Sequence, residues 1–322
     1  MATIWCNASF NENATRRLHE GVRRHDFVSA SPGDSSVLSA GSTDAQLTNA
    51  DIAFGQPNAG QVMDTARLRW VEVTSAGYTR YDRPEFREAF RRRGARFTNS
   101  SSVFADPCAQ HVLANMLGLS RQLFPAYRSQ LEAPGWDSET LRYGSRLLTG
   151  QTVLFLGYGA IGRRLRELLV PFNVTIFAVR RRTYSEPGVN IISEERLSSV
   201  LGQVDHIVNV LPDNESTRNY VNARRLSWCR PGTRFYNIGR GTTVDQNALL
   251  EALQSGRLGA ACLDVTDPEP LPPRHPLWTA PNCFITPHTA GGRHDQDEAL
   301  VAHFLANLRA FEANEPMADV VM

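Results

Sequence analysis

Short apolar runs alternate with amphipathic stretches through most of the chain. Over the first hundred residues, runs around residue 4 and over 27–30, 52–54, 70–73 and 95–97 have strand length. Helical patterns separate them, such as 84–93, which opens on Pro84 and stops at Gly94. Proline suits a first helical turn, where its missing N–H is not needed, and glycine suits the position after the last turn. Next, 106–124 carries Ala, Leu and Met at helical spacing and predicts a long helix leading into a second region. There strands are predicted over 153–156, 174–178, 190–192, 206–210, 234–238, 260–264 and 283–286, with helices between most of them. That many strands joined by crossovers predict a doubly wound parallel sheet. A final helix over 294–311 is expected to return to the N-terminal domain, leaving a cleft with two chain crossings between the domains.

The segment 153–169 gives this second region a task. Its strand empties into the turn Gly157-Tyr158-Gly159-Ala160-Ile161-Gly162, and an amphipathic helix follows. A dinucleotide pyrophosphate needs this arrangement. The first glycine permits the tight turn, the second lets backbone N–H groups approach, the third lets helix and strand pack, and the helix N-terminus attracts the phosphates. About twenty residues past such glycines, an acidic residue receives the ribose of NAD, while arginine can receive the 2′-phosphate of NADP. Here Arg180, Arg181 and Arg182 stand there, and no acid comes before Glu186. Guanidinium groups bind phosphate through charge-assisted forks, so NADPH is the expected cofactor, with NAD as the alternative. The region therefore reads as a Rossmann-type coenzyme domain, and the first hundred residues as a smaller flavodoxin-like α/β domain.

Composition narrows the chemistry by exclusion. Among 322 residues there is no lysine, so all 34 basic residues are arginine. A Schiff-base lysine and a P-loop lysine are both ruled out. The formal charge of +1 gives no reason to expect nucleic acid as a partner. Cys6, Cys108, Cys229, Cys262 and Cys283 are scattered, mostly in apolar surroundings, and read as free buried thiols. No stretch reads as a secretory leader or membrane span, and a reducing cytoplasmic location is expected.

Unusual polar residues gather at three later strand ends: Asn237-Ile238-Gly239-Arg240-Gly241, the run from Asp264 to Leu271 containing Glu269, and Thr286-Pro287-His288-Thr289-Ala290-Gly291. In an open α/β sheet, ligands bind beyond the carboxyl ends of the strands, so Arg240, Glu269 and His288 are expected to converge there. His111 and His206 lie inside apolar runs and read as packed structural residues.

Together these motifs, with the Leu211-Pro212 pair, VTSAGYTRYD over 73–82 and ADIAFGQP over 50–57, resemble the D-isomer-specific 2-hydroxyacid dehydrogenases along essentially the whole chain. The resemblance implies a coenzyme domain over 103–290 inserted into a substrate domain made of 1–102 and 291–322. It implies His288 as general acid, Glu269 as its partner, and Arg240 gripping a small 2-oxo or 2-hydroxy acid, with no metal. Ser75, Ala76 and Gly77 would meet the substrate carboxylate through backbone N–H groups, His288 and Arg240 completing the substrate site. Leu211, Pro212, Thr217, Ile238, Gly239 and Asp264 would join the glycine turn in holding the cofactor, Asp264 through the nicotinamide carboxamide. The implied activity is NADPH-dependent reduction of glyoxylate- or hydroxypyruvate-type acids by a homodimer. Its alternatives are an NAD-dependent D-2-hydroxyacid, formate or phosphite dehydrogenase, and a non-catalytic NAD-sensing corepressor. Tyr78, where the family commonly has a small aliphatic residue, is expected to reshape the pocket, and Gln110, where it usually has Glu, to be tolerated structurally.

Overall fold

A computed structural model describes residues 1–30, 41–132, 134–180 and 185–322. The chain divides into two compact units, Met1–Phe104 with Gly292–Met322, and Ala105–Gly291.

In the first unit, β1 (Thr3–Cys6), β2 (Asp26–Ser29), β3 (Ile52–Gly55), β4 (Trp70–Val73) and β5 (Arg96–Thr98) pair in parallel in the order β2-β1-β3-β4-β5. This is the flavodoxin-like order. The strand period of two sends Ile4, Ile52, Phe54 and Trp70 to one core and Trp5, Ala53, Val71 and Val73 to the other. Burial on both faces explains why these strands read as unbroken apolar runs rather than alternating ones. The helix Gln296–Ala313 covers the first face with Val301, Phe304, Leu305 and Leu308, the helical spacing of a single stripe. Phe304 stacks on Phe54 at 4.1 Å and on Trp70 at 5.2 Å. The C-terminal segment is thus part of the N-terminal unit's core.

The second unit contains β6 (Thr152–Leu156), β7 (Thr175–Val179), β8 (Asn190–Ile192), β9 (His206–Asn209), β10 (Thr233–Asn237), β11 (Leu258–Leu263) and β12 (Cys283–Ile285). All pair in parallel, in the order β12-β11-β10-β9-β6-β7-β8. Chain progression reverses between β6 and β9, so the loops after these two strands flank the switch point where ligands bind in such sheets.

The bridging helix differs from expectation. It spans Ser101–Ser120, beginning before residue 106, and a second helix, Leu123–Glu132, follows it. Asp106-Pro107 imitates a helix start, but Pro107 lies inside the helix. Gln122, at φ 57°, is what ends the continuous helix. Among the described residues, no helix is long and apolar enough to cross a membrane. All five cysteines are free, four of them buried.

Candidate active site

Gly157 leaves β6 at φ +84°, and its N–H donates to Val179 O of β7 at 3.1 Å, so the turn is pinned across the adjacent strand. A Cβ at Gly159 would meet nothing within 4 Å, and no side chain caps the helix Ala160–Leu169 that starts there. Uncapped N–H groups facing open space are what an anionic ligand needs. At Gly162 the neighbour is the Tyr158 ring, 2.9 Å from a built Cβ, and that ring sits edge-on to Phe155 of β6. The third glycine thus makes room for Tyr158 between helix and strand. The Tyr158 side chain is buried beneath the turn, leaving its backbone as the part available to a cofactor. Burial, followed by Glu186, pushes its hydroxyl up to about 12 against the opposing Arg166, Arg163 and Arg180 charges. Arg180 is the first residue past β7 and half-buried; Arg181 and Arg182 lie outside the described residues.

A buried polar network shapes the next two strand ends. Asn209 Nδ2 donates to Asn237 Oδ1 at 3.0 Å and to Thr243 Oγ1 at 2.7 Å, and Leu211 N donates back to Asn209 Oδ1. Gly239 N donates to Asn237 Oδ1, and Thr243 Oγ1 to Arg240 O, so one network sets both the Leu211-Pro212 turn and the Ile238-Gly239-Arg240 turn. Thr217 sits in that first turn, but its hydroxyl donates to Pro212 O at 2.6 Å and accepts from Asn214 N. Its polar group closes the loop.

Arg240, Glu269 and His288 all belong to the second unit. Gly241 lies against the Thr266 carbonyl, which a built Cβ would overlap at 1.9 Å, so only glycine lets the Arg240 turn touch the loop that carries Glu269. His288 Nδ1 and Glu269 Oε2 are 3.0 Å apart, and Thr266 N donates to the other Glu269 oxygen at 3.2 Å. The Glu269 hydrogen bond raises the His288 pKa above its ordinary value, against the opposing effect of burial. Burial alone would raise the Glu269 carboxyl, but His288, Thr266 N–H and Arg240 together hold it below the usual range. Arg240 is lowered by burial, with Glu269 and Asp213 opposing, and remains a cation at neutral pH. Its Nη1 donates to Gly239 O at 2.6 Å.

Asp264 is buried, and its carboxylate organises the histidine loop. Thr289 N and Ala290 N donate to its two oxygens at 2.8 and 2.9 Å, and Thr286 Oγ1 donates at 2.7 Å. His288 N donates to Asp264 O at 2.9 Å. These bonds hold His288 at φ +54°, a left-handed conformation costing on the order of 1–2 kcal/mol for a residue with a Cβ. Sequence reading assigned Asp264 to the cofactor and missed its hold on His288. Asn237 was named only as a polar strand end, and Asn209 and Thr243 were not singled out; the available signal for the two asparagines was a polar residue closing an apolar strand.

Ser75, Ala76 and Gly77 form a turn in the first unit, beyond β4. Its carbonyls are tied back: Ser75 O accepts from Ser100 N, Ala76 O from Asn99 Nδ2, and Gly77 O from Ser75 Oγ. Tyr78 is half-buried against that unit's core, its ring 6.3 Å from Phe97. Gln110 donates to Asp106, which pairs with Arg164 of the glycine-turn helix. His206 is fully buried between Tyr236 and Gln151, its pKa driven down to about 3 first by burial and then by Arg234 and Arg230. His111, read as packed, is only half-buried and reaches Thr286. Among the described residues no group of three or more His, Cys, Asp or Glu could hold a metal ion.

Two parallel sheets of these orders and an uncapped glycine turn at a switch point define a dinucleotide-binding α/β protein. The sequence profile "D-isomer specific 2-hydroxyacid dehydrogenase, NAD binding domain" matches residues 113–290. The glyoxylate reductase/hydroxypyruvate reductase of Homo sapiens is 31% identical over 255 residues, covering 78% of this chain and 76% of that one. A glyoxylate reductase of Pyrococcus furiosus is 29% identical, covering 77% and 74%. Among solved structures, a D-isomer specific 2-hydroxyacid dehydrogenase from Xanthobacter autotrophicus Py2, in complex with NADPH and MES, superposes with a TM-score of 0.81. It is 25% identical, with 100% of this chain and 98% of that one covered. The chain belongs to the D-isomer specific 2-hydroxyacid dehydrogenase family, and is accordingly an NAD(P)-dependent oxidoreductase.

Proposed function

We propose that the protein reduces small 2-oxo acids, of the glyoxylate and hydroxypyruvate type, to D-2-hydroxy acids with NADPH as the preferred reductant. The observation that carries this reading is the 3.0 Å contact between His288 and Glu269 in the same unit as Arg240 and the glycine turn. The residues fit a dinucleotide: the space at Gly159 and the uncapped helix start would take the pyrophosphate, and Arg180 would face the 2′-phosphate. The names of the human and Pyrococcus relatives support the substrate class, and the NADPH complex of the Xanthobacter relative supports the cofactor.

When bound, the cofactor supplies the hydride for the carbonyl carbon. Arg240 grips the substrate's carboxylate and carbonyl oxygens in a charge-assisted fork. In the first unit, Ser75, Ala76 and Gly77 have their carbonyls engaged within that unit, and their backbone N–H groups are proposed as donors to a carboxylate. Glu269 accepts from His288 Nδ1–H, which keeps the ring cationic and leaves Nε2–H to protonate the developing alkoxide. His288→Ala is expected to lower kcat by about 10²- to 10⁴-fold with cofactor affinity retained. A loss confined to KM would instead limit His288 to positioning substrate.

The assembly belongs to the same proposal. Tyr127, Leu131, Trp136, Tyr143 and Leu147 are all well exposed along one segment of the second unit, and Trp136 is 94% exposed. Exposed apolar groups recurring along one segment suit burial against a second copy of the chain, so the proposed state is a homodimer. Five free thiols suit a reducing compartment, and the cytoplasm is the proposed location.

A further inference from the structure

The hydrogen bonds that hold the His288 turn do not end at Asp264. Thr286 Oγ1 donates to Asp264 Oδ1, and His111 Nε2, on the helix Ser101–Ser120, stands 3.3 Å from that same hydroxyl oxygen. Asp264 also accepts N–H donors on both oxygens, from Thr289 and Ala290. A threonine hydroxyl has a single proton, and here it goes to the carboxylate. The hydrogen in the His111–Thr286 contact must then come from the imidazole, which fixes His111 as an Nε2–H donor. Polarity runs one way, from His111 to Thr286 to Asp264.

We propose that His111 is a positioning residue for the reaction. Its N–H holds the Thr286 hydroxyl in the rotamer that serves Asp264, and Asp264 holds the left-handed turn that presents His288. Without that donor the hydroxyl is free to turn to other acceptors, Asp264 loses its side-chain partner, and His288 samples a wider range of orientations. Bulk alone cannot replace this, because the function lies in one N–H. The inference rests on His288 being the proton donor.

The test uses the full-length enzyme and a double-mutant cycle. His111→Leu keeps bulk without the donor, His111→Gln keeps an N–H at similar reach, and Thr286→Val removes the link. The Leu variant should lose about 3- to 10-fold in kcat, the scale of one hydrogen bond, with the 2-oxo acid KM within about twofold. Gln should restore most of the loss, and His111→Leu added to Thr286→Val should cost nothing further. Leu equal to wild type, Gln as poor as Leu, or losses that multiply would overturn the role of His111. A second readout needs no activity: the ¹⁵N shifts of His111, assigned by its disappearance in His111→Gln, should report the Nε2–H tautomer, and an Nδ1–H ring overturns the proposal. A wild type that oxidises neither NADPH nor NADH with any 2-oxo acid defeats the catalytic reading itself. An active wild type with a failed cycle defeats only this inference.

Discussion

His288 and Glu269 shift in opposite directions because each stabilises the charged form of the other. The hydrogen bond with Glu269 leads the upward shift at His288. A raised pKa keeps the imidazolium to higher pH, so kcat/KM for reduction should fall at a higher pH than an ordinary histidine would set. Glu269→Gln removes the charge and should move that fall to lower pH, toward the ordinary histidine value, while lowering the neutral-pH rate by about tenfold or more. A pH profile unchanged by the substitution would mean that Glu269 does not set the state of His288. Arg240, Glu269 and His288 were legible in sequence because each sits in a dense motif at a strand end. Asn209, Thr243 and His111 were not: single polar residues with no period of their own acquire meaning only when folding places a partner beside them.

Among the elements, the strands and the helix Pro84–Arg93 were legible, whereas the bounds of the bridging helix were not. Burial on both faces leaves an apolar run whatever the neighbours do, whereas Asp106-Pro107 imitates a start that the helix has already passed. Nor does periodicity reveal the charged cluster where β4 meets the helix Gln296–Ala313. Glu72, fully buried, accepts from Asn307 Nδ2 at 2.7 Å, Thr98 Oγ1 at 3.0 Å and His303 Nδ1 at 3.1 Å. His303 Nε2 forms an ion pair with Asp319 at 3.1 Å, off the line of a hydrogen bond. Burial works against the charge on His303, but Asp319 and Glu72 outweigh it and raise the pKa to about 9. Because the folded value exceeds the unfolded one, the stabilisation is full below about pH 6.5 and is lost as pH rises through 9. Thermal melts between pH 6.5 and 10 should show a steeper decline for wild type than for His303→Gln. Parallel declines would mean the cluster carries no such linkage.

At the scale of the whole molecule, the alternation of strands and crossovers made two parallel α/β sheets legible, while their strand orders came from the structure. A sequence pattern does not say what covers an exposed face, so the proposed dimer is tested directly: sedimentation equilibrium should give about twice the 35.8 kDa chain mass, and Trp136→Glu with Leu131→Glu should return it to monomer. A monomeric wild type would rule the dimer out. The central claim, that one unit's glycine turn and its Arg240, Glu269 and His288 act together on a 2-oxo acid, is tested most directly by cofactor oxidation. Absorbance at ~340 nm, the nicotinamide band of the reduced cofactor, is followed with glyoxylate and hydroxypyruvate against NADPH and NADH. The account predicts steady oxidation with at least one of the two acids, with kcat/KM for NADPH exceeding that for NADH by about tenfold, one charged hydrogen bond's worth. No oxidation of either cofactor with any small 2-oxo acid would contradict it.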